Sequence, residues 1–289
     1  MQQERDYGFH ILLRGIILIG FFLLTFKLAL TGDIEYYIAP KMIPFSYFAI
    51  GVLLILAVIQ IWRSGSKNKM DLFCNCGFDH NNSSFLQSGF IYSLFFLPIL
   101  IGFWFPDTIM DSSIVANRGI NYGLNSSLHQ TEFGGDSSAL SENSDISYLD
   151  EGNTVYNNRL ELKNELLNNP KIIVKDEFYL DTLDIFVNDL NSFIGKEIEI
   201  MGFVYKEPDL KPDQFVISRV AIACCVADSS VFGTIATTDI SHPVVMDEWI
   251  KATGILAKTN VDGQDLPKLQ IKKIERIEQP EDPYVYIPY

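Results

Sequence analysis

Hydrophobic positions are arranged in two different ways along this chain. Three long apolar runs come first, at about 11–30, 42–62 and 85–105. Each is near the roughly 20 residues that a helix needs to cross the hydrocarbon of a bilayer. Arg14 and Lys27 lie inside the first run but near its ends, where long basic side chains reach the headgroups. Trp62 and Trp104 stand where interfacial anchors belong. A second apolar run follows the first at once, with no small-residue cleavage site between them, so a membrane helix is expected there and not a signal peptide. No run carries Asp or Glu at mid-depth, as an ion-coupled carrier would require.

Beyond Pro106 the pattern changes. Residues 107–154 are rich in Ser, Asn, Gly and Asp and are expected to form a flexible polar linker. Within it, Ile114, Val115 and Ala116 fit a short helix just outside the membrane. Residues 158–168 have helical spacing through Leu160, Leu162, Leu166 and Leu167. A short strand is expected at 171–174, and a second helix at 178–193 with Gly195 as its stop signal. The period then shortens to two. Strands are predicted at 197–205, 215–224, 231–236, 249–257 and 269–277, separated by Pro208–Asp209, Asp228–Ser229, Ser241–His242–Pro243 and Asp262–Gly263.

The predicted fold is therefore a membrane α-helical region of three transmembrane helices over 1–106, followed by the linker and an α+β C-terminal domain over 155–289. That domain holds a small five-stranded OB-like antiparallel barrel, with a β-sandwich fragment as the alternative.

Charge refines this picture. The net charge is −14, and most acidic residues follow Pro106. An acidic soluble portion repels phosphate backbones, which argues against nucleic acid as a partner and favours a cationic ligand or a purely solubilising role. The loop between the second and third runs carries Arg63, Lys67 and Lys69, while the first loop carries Asp33, Glu35 and Lys41. The positive-inside rule then puts the N-terminus in the cytoplasm and the C-terminal domain outside a plasma membrane that the chain crosses several times.

The four cysteines form two close pairs. Cys224 and Cys225 lie at the end of a predicted strand, with Asp228 three residues on and Arg219 upstream. A bridge between sequence neighbours needs a strained ring, so thiols are expected. Adjacent strand residues point to opposite faces, so the two sulfurs converge on one ion only if the strand ends there. Asp228 and Arg219 could complete a polar site around a thiol, because a basic neighbour makes a thiol nucleophilic or metal-binding. The plainer alternative is that one cysteine packs in the core as a small hydrophobe. Cys74, Cys76 and His80 form a weaker candidate metal site, with Asp79 as a fourth ligand; their spacing is not that of a standard zinc site. His242–Pro243 with Asp247 and Glu248 reads as a turn and a solvated face. Gly195–Lys196 lacks the glycines of a phosphate loop, and Ser229–Ser230 lies outside any nucleophile-elbow context.

Several segments together resemble a known family. They are Gly195–Lys206, then Arg219 through Cys224, Cys225 and Asp228, then Asp247–Trp249 with Gly254, and Pro283–Tyr286. With Tyr37–Met42 ahead of the second run, they are similar to the YcgQ-type bacterial membrane proteins, which carry a domain of unknown function. The family pattern often has His where this chain has Ala39, and an aromatic residue where it has Val220. The resemblance implies a permease subunit encoded beside a larger multi-span permease, and a link to a divalent metal such as zinc. The expected function is accordingly a non-enzymatic accessory subunit in the lipid bilayer, partnered by that permease, with an outer-face binding domain. A membrane-anchored thiol-redox protein and a structural or sensing module are the alternatives.

Overall fold

The computed structural model describes residues 2–65, 85–104, 112, 115, 118–123, 151–207, 210–238, 244–261 and 263–287. The chain divides into two compact units: 1–109 together with Cys224–Val226, and the remainder.

The first unit is built on α1 (Gln2–Thr31), α2 (Ile43–Ser64) and α3 (Phe85–Trp104). Gly32, with φ 86°, ends α1 in the left-handed conformation that glycine adopts at no steric cost. Pro40 opens a 3₁₀ turn (Pro40–Met42) and Pro44 sits in the first turn of α2, where a missing N–H leaves nothing unpaired. Two segments, His10–Thr31 and Pro40–Ser64, are long and apolar enough to cross a membrane. The third expected span corresponds to α3, whose apolar stretch Gly89–Trp104 is shorter than those two. The helices approach closely at glycines. A Cβ on Gly15 would lie 2.8 Å from Ile61 of α2, and one on Gly102 would lie 2.9 Å from Leu24 of α1. Phe48, Ile55, Trp62, Leu94, Leu100 and Trp104 are all exposed.

The second unit is a sheet with helices against it. In chain order it comprises β1 (Ile120–Asn121), α4 (Glu151–Asn168), β2 (Lys171–Ile173), α5 (Tyr179–Asn188), α6 (Leu190–Phe193), β3 (Glu197–Tyr205), β4 (Gln214–Ile222), β5 (Ser230–Thr237), β6 (Trp249–Val261), β7 (Gln264–Arg276) and β8 (Tyr284–Tyr286). β3 pairs with β4, β4 with β5, β5 with β7, β7 with β6, and β6 returns to β3, which closes a five-stranded barrel. Alternation along β3 puts Ile198, Ile200 and Val204 in the core, where Phe215, Ile217 and Leu256 from the neighbouring strands join them. Phe186 and Phe193, in edge contact at 5.3 Å, belong to the same core from the helical side.

Several expectations need correction. The barrel is not wholly antiparallel: β5 and β7 run parallel, with Ile235 opposite Lys268. The cause is the tight β6–β7 hairpin, in which Val261 faces Gln264 and Gly263 takes φ 85°. Because β6 is already paired with β3, closure leaves β7 to meet β5 in that direction. The helix expected at 178–193 breaks at Asp189, whose carboxylate pairs with Lys163 at 2.7 Å and accepts a bond from Ser192 Oγ at 2.9 Å. The strand expected to reach 224 stops at Ile222. Part of the supposed linker is ordered: Val115, Ile120 and Tyr122 are buried, and Ile120–Asn121 pairs with Val231–Phe232. Most of the remaining linker lies outside the described residues.

Glycine matters most at Gly254, where a Cβ would collide with the Gln270 carbonyl beside a register shift in the β6–β7 ladder. Lys196 has a structural role: its ammonium donates to the carbonyls of Leu167 at 2.6 Å and Asn169 at 2.9 Å, capping the negative end of α4.

Candidate functional site

β4 runs out at Ile222, and the chain bends through Ala223 and Cys224 into a short 3₁₀ turn (Val226–Asp228) before β5 begins. The bend removes the obstacle posed by strand geometry, because the two side chains no longer leave on opposite faces. Cys224 Sγ and Cys225 Sγ stand 3.7 Å apart and are not joined in a disulfide. Asp228 closes the group, with all three potential ligand atoms within 4.8 Å of one another. Cys224 is exposed, while Cys225 and Asp228 are half-buried.

The turn is held from several directions. Asp228 Oδ1 accepts a bond from the Ala223 N–H at 3.1 Å. Arg118 reaches across the turn from a segment far away in sequence. Its guanidinium donates to the Ser229 carbonyl and, at 3.1 Å, to that of Ala227. Within the first unit, Ile38 forms an antiparallel bridge with Cys225. The Ala39 N–H donates to the Cys224 carbonyl at 3.1 Å, and the Val226 N–H to that of Tyr37 at 2.9 Å.

This donor set fits a soft or borderline divalent cation. Two thiolates at the usual Zn–S distance of about 2.3 Å and a tetrahedral angle sit about 3.8 Å apart, close to the 3.7 Å separation here. A linear two-coordinate ion would hold them about 4.6 Å apart at the same bond length. A carboxylate oxygen is an accepted third ligand, and three protein ligands leave a fourth position open, as in sites that exchange their ion or a bound group.

Comparison with known proteins places these residues in a family. Residues 13–121 match the DUF1980 N-terminal domain and residues 150–287 match the DUF1980 C-terminal domain. The chain belongs to the DUF1980 family. It is 29% identical to the UPF0703 protein YcgQ of Bacillus subtilis (strain 168), covering 94% of this chain and 98% of that protein. It is 27% identical to a Streptococcus mutans protein named "Putative two-component membrane permease complex subunit", covering 95% and 99% respectively.

Of the residues singled out in this DUF1980 chain, Cys224, Cys225 and Asp228 come together, whereas Arg219 is engaged elsewhere. Its guanidinium is fully buried, pairs with Asp176 at 2.7 Å, and donates to the carbonyls of Pro283 and Tyr284, each at 3.2 Å. It also lies over the rings of Trp249 at 5.3 Å and Tyr179 at 5.9 Å. Arg219 thus joins β4 to the C-terminal strand and the entry to α5. Burial pushes the Tyr179 phenol well above its ordinary range, Arg219 opposes that shift, and Asp176 adds to it. Asp247 and Glu248 also have structural partners. Asp247 accepts from the Ser112 N–H at 2.8 Å and its hydroxyl at 2.9 Å; Glu248 accepts from the Val245 N–H at 3.1 Å and pairs with Arg276. Cys74, Cys76 and His80 lie outside the described residues, as does His242.

Two supports of the turn escaped the sequence reading, Arg118 and the segment Tyr37–Ala39. Arg118 is embedded in a polar stretch without periodicity. Tyr37–Ala39 carries one hint, its presence in the segment that resembles the family ahead of the second apolar run.

Proposed function

We propose that this chain is a non-enzymatic accessory subunit of a membrane permease complex. Its first unit is anchored in lipid through α1, α2 and α3, and its second unit is an OB-type barrel on the outer face. The single observation that carries this reading is the near full-length similarity to a protein whose name describes a membrane permease complex subunit. Two helices long and apolar enough to cross a bilayer support it. α3 is taken as a third span because its 20 residues measure about 30 Å at 1.5 Å per residue, the thickness of the hydrocarbon. Its internal Pro98 is of a kind that membrane helices tolerate. The basic residues between α2 and α3 support an orientation with the barrel outside the plasma membrane.

The strand circuit of the barrel, with its parallel closing pair, supports the OB-type reading. Nucleic-acid binding does not follow from it. Residues 215–222 of β4 are buried along their whole length, so no exposed face of that strand remains to stack bases, and the chain is strongly acidic. The Cys224–Cys225–Asp228 turn is read as the binding element, taking a divalent cation such as zinc that is cargo for the complex.

The test is recovery of the tagged full-length chain from native membranes in mild detergent. It is expected to bring down a multi-span membrane protein encoded beside it, and to lose that partner when 1–106 are deleted. Recovery of the chain alone, even after cross-linking in intact membranes, would contradict the permease reading. A second reading, attack of the Cys224 thiolate on a partner's disulfide with release of one partner thiol, is favoured by the exposure of Cys224 beside a second thiol at 3.7 Å. It requires a mixed disulfide with a partner to accumulate in Cys225→Ser.

A further inference from the structure

We propose that metal occupancy of the cysteine turn is coupled to the backbone of the α1–α2 connection. A soft divalent cation at the thiols orders Tyr37–Ala39, and that segment in turn sets how tightly the thiols bind. The proposal rests on the metal reading above and adds regulation to it.

The contacts lie where such coupling needs them. Cys224–Val226 belong to the same compact unit as α1 and α2. The Ala39 N–H holds the Cys224 carbonyl, and the Tyr37 carbonyl holds the Val226 N–H. These two bonds bracket Cys225, which itself forms the bridge to Ile38. Two neighbouring residues bring their sulfurs to 3.7 Å only while the backbone between them keeps its bend. The bonds on either side restrain that bend. Ala39 is buried, at 1% exposure, so water does not compete for its bond to the Cys224 carbonyl while the bridge is closed.

A ligand that prefers the bent turn therefore favours the docked bridge. By linkage, the docked bridge favours the ligand by the same factor. Residues 37–39 lie between Gly32, which ends α1, and Pro40, which opens the turn into α2. Occupancy at the thiols is thereby communicated to the connection that joins two membrane helices.

Ala39 offers a clean way to break the link. Its backbone angles, φ −57° and ψ 142°, are ones proline accepts. Ala39→Pro removes the donor and sets a ring carbon against the Cys224 carbonyl, while leaving the local chain path as it is. Val226→Pro removes the other bond from the cysteine side, at the first position of a 3₁₀ turn, where proline is tolerated.

The experiment uses the full-length chain in lipid nanodiscs with Zn²⁺ alone as probe. Stoichiometry and affinity are measured by chelator competition, and hydrogen exchange is followed at 37–39 and 224–226. In the wild type, one Zn²⁺ per chain is expected to slow exchange of the Ala39 and Val226 amides at least tenfold. Ala39→Pro and Val226→Pro are each expected to weaken Zn²⁺ binding about tenfold. The double variant Cys224→Ser with Cys225→Ser should neither bind the ion nor alter exchange on its addition. Stoichiometric binding with unchanged exchange, and with equal affinity in both proline variants, overturns the coupling while leaving the metal site standing. Absence of Zn²⁺ binding to the wild type overturns both.

Discussion

The two units bury their apolar residues to very different degrees. In the barrel unit, Phe215, Ile217, Ile235 and Leu256 are almost wholly removed from solvent. In α2 and α3, Phe48, Trp62, Leu94 and Trp104 stand exposed on helices that are apolar nearly all round. A water-soluble protein does not display so much contiguous apolar surface, whereas a chain solvated by lipid does. The same contrast appears in polar groups. The barrel unit contains a buried Arg219 and a buried Asp184, each paired with an opposite charge. Along the two helices long enough to cross a membrane, the hydroxyls of Thr25, Thr31, Ser46 and Ser64 are tied to the preceding turn, as Thr25 Oγ1 is to the Phe21 carbonyl at 2.8 Å. One hydrophobic alphabet serves both units, and the solvent decides which face it occupies.

The sharpest way to break this comparison is to remove an aromatic ring from each unit. Phe215→Ala is expected to destabilise the barrel by about 3–5 kcal/mol through lost burial and a residual cavity. Phe48→Ala should change stability by no more than about 0.5 kcal/mol, because the ring packs on little protein. Denaturation of the full chain in detergent, followed by far-ultraviolet circular dichroism, which reports the helices as well as the barrel, reads both. Equal effects would erase the distinction.

A charge placed on the lipid face comes next. Ile55→Lys, near the middle of α2, is expected to cost about 2.5–3.5 kcal/mol in membrane insertion. It should lower the fraction of chain recovered in membranes, while the charge reversal Lys272→Glu at an exposed barrel position leaves that fraction unchanged.

The smallest effect concerns acid. Glu199 is held below the ordinary carboxylate range, chiefly by its hydrogen bond from the Lys171 ammonium at 2.6 Å. A lowered folded-state value contributes stability above the unfolded value of about 4.3 and loses it as pH falls through the folded one. Lys171→Met should therefore melt slightly below wild type at neutral pH, and the two should converge in acid. The pair is exposed enough for the difference to be small. A gap that persists in acid strong enough to protonate Glu199 in the folded state would mean that Lys171 acts through packing instead.

How much of this was legible in the sequence depended on the range of the interactions. The spans at 11–30 and 42–62 coincide closely with the apolar segments His10–Thr31 and Pro40–Ser64, because a continuous apolar run of membrane length is written in the residues themselves, although α1 as a helix starts nine residues earlier, at Gln2. The barrel strands were visible through their period of two, as at Ile198 and Ile200. β1 was not, since two residues carry no period. The role of Arg219 was misplaced because Asp176 and Pro283 lie 43 and 64 residues away, and no local pattern links them. The neighbouring cysteines and Asp228 were legible as chemistry. The bend that lets the two sulfurs converge was not, because it rests on Arg118 and Tyr37–Ala39, both far away in sequence.

Alkaline carbonate extraction of cell membranes tests the contrast between the units most directly. The full-length chain is expected to stay in the pellet and to leave it only in detergent. Its release into the carbonate supernatant would mean that α1 and α2 are not solvated by lipid.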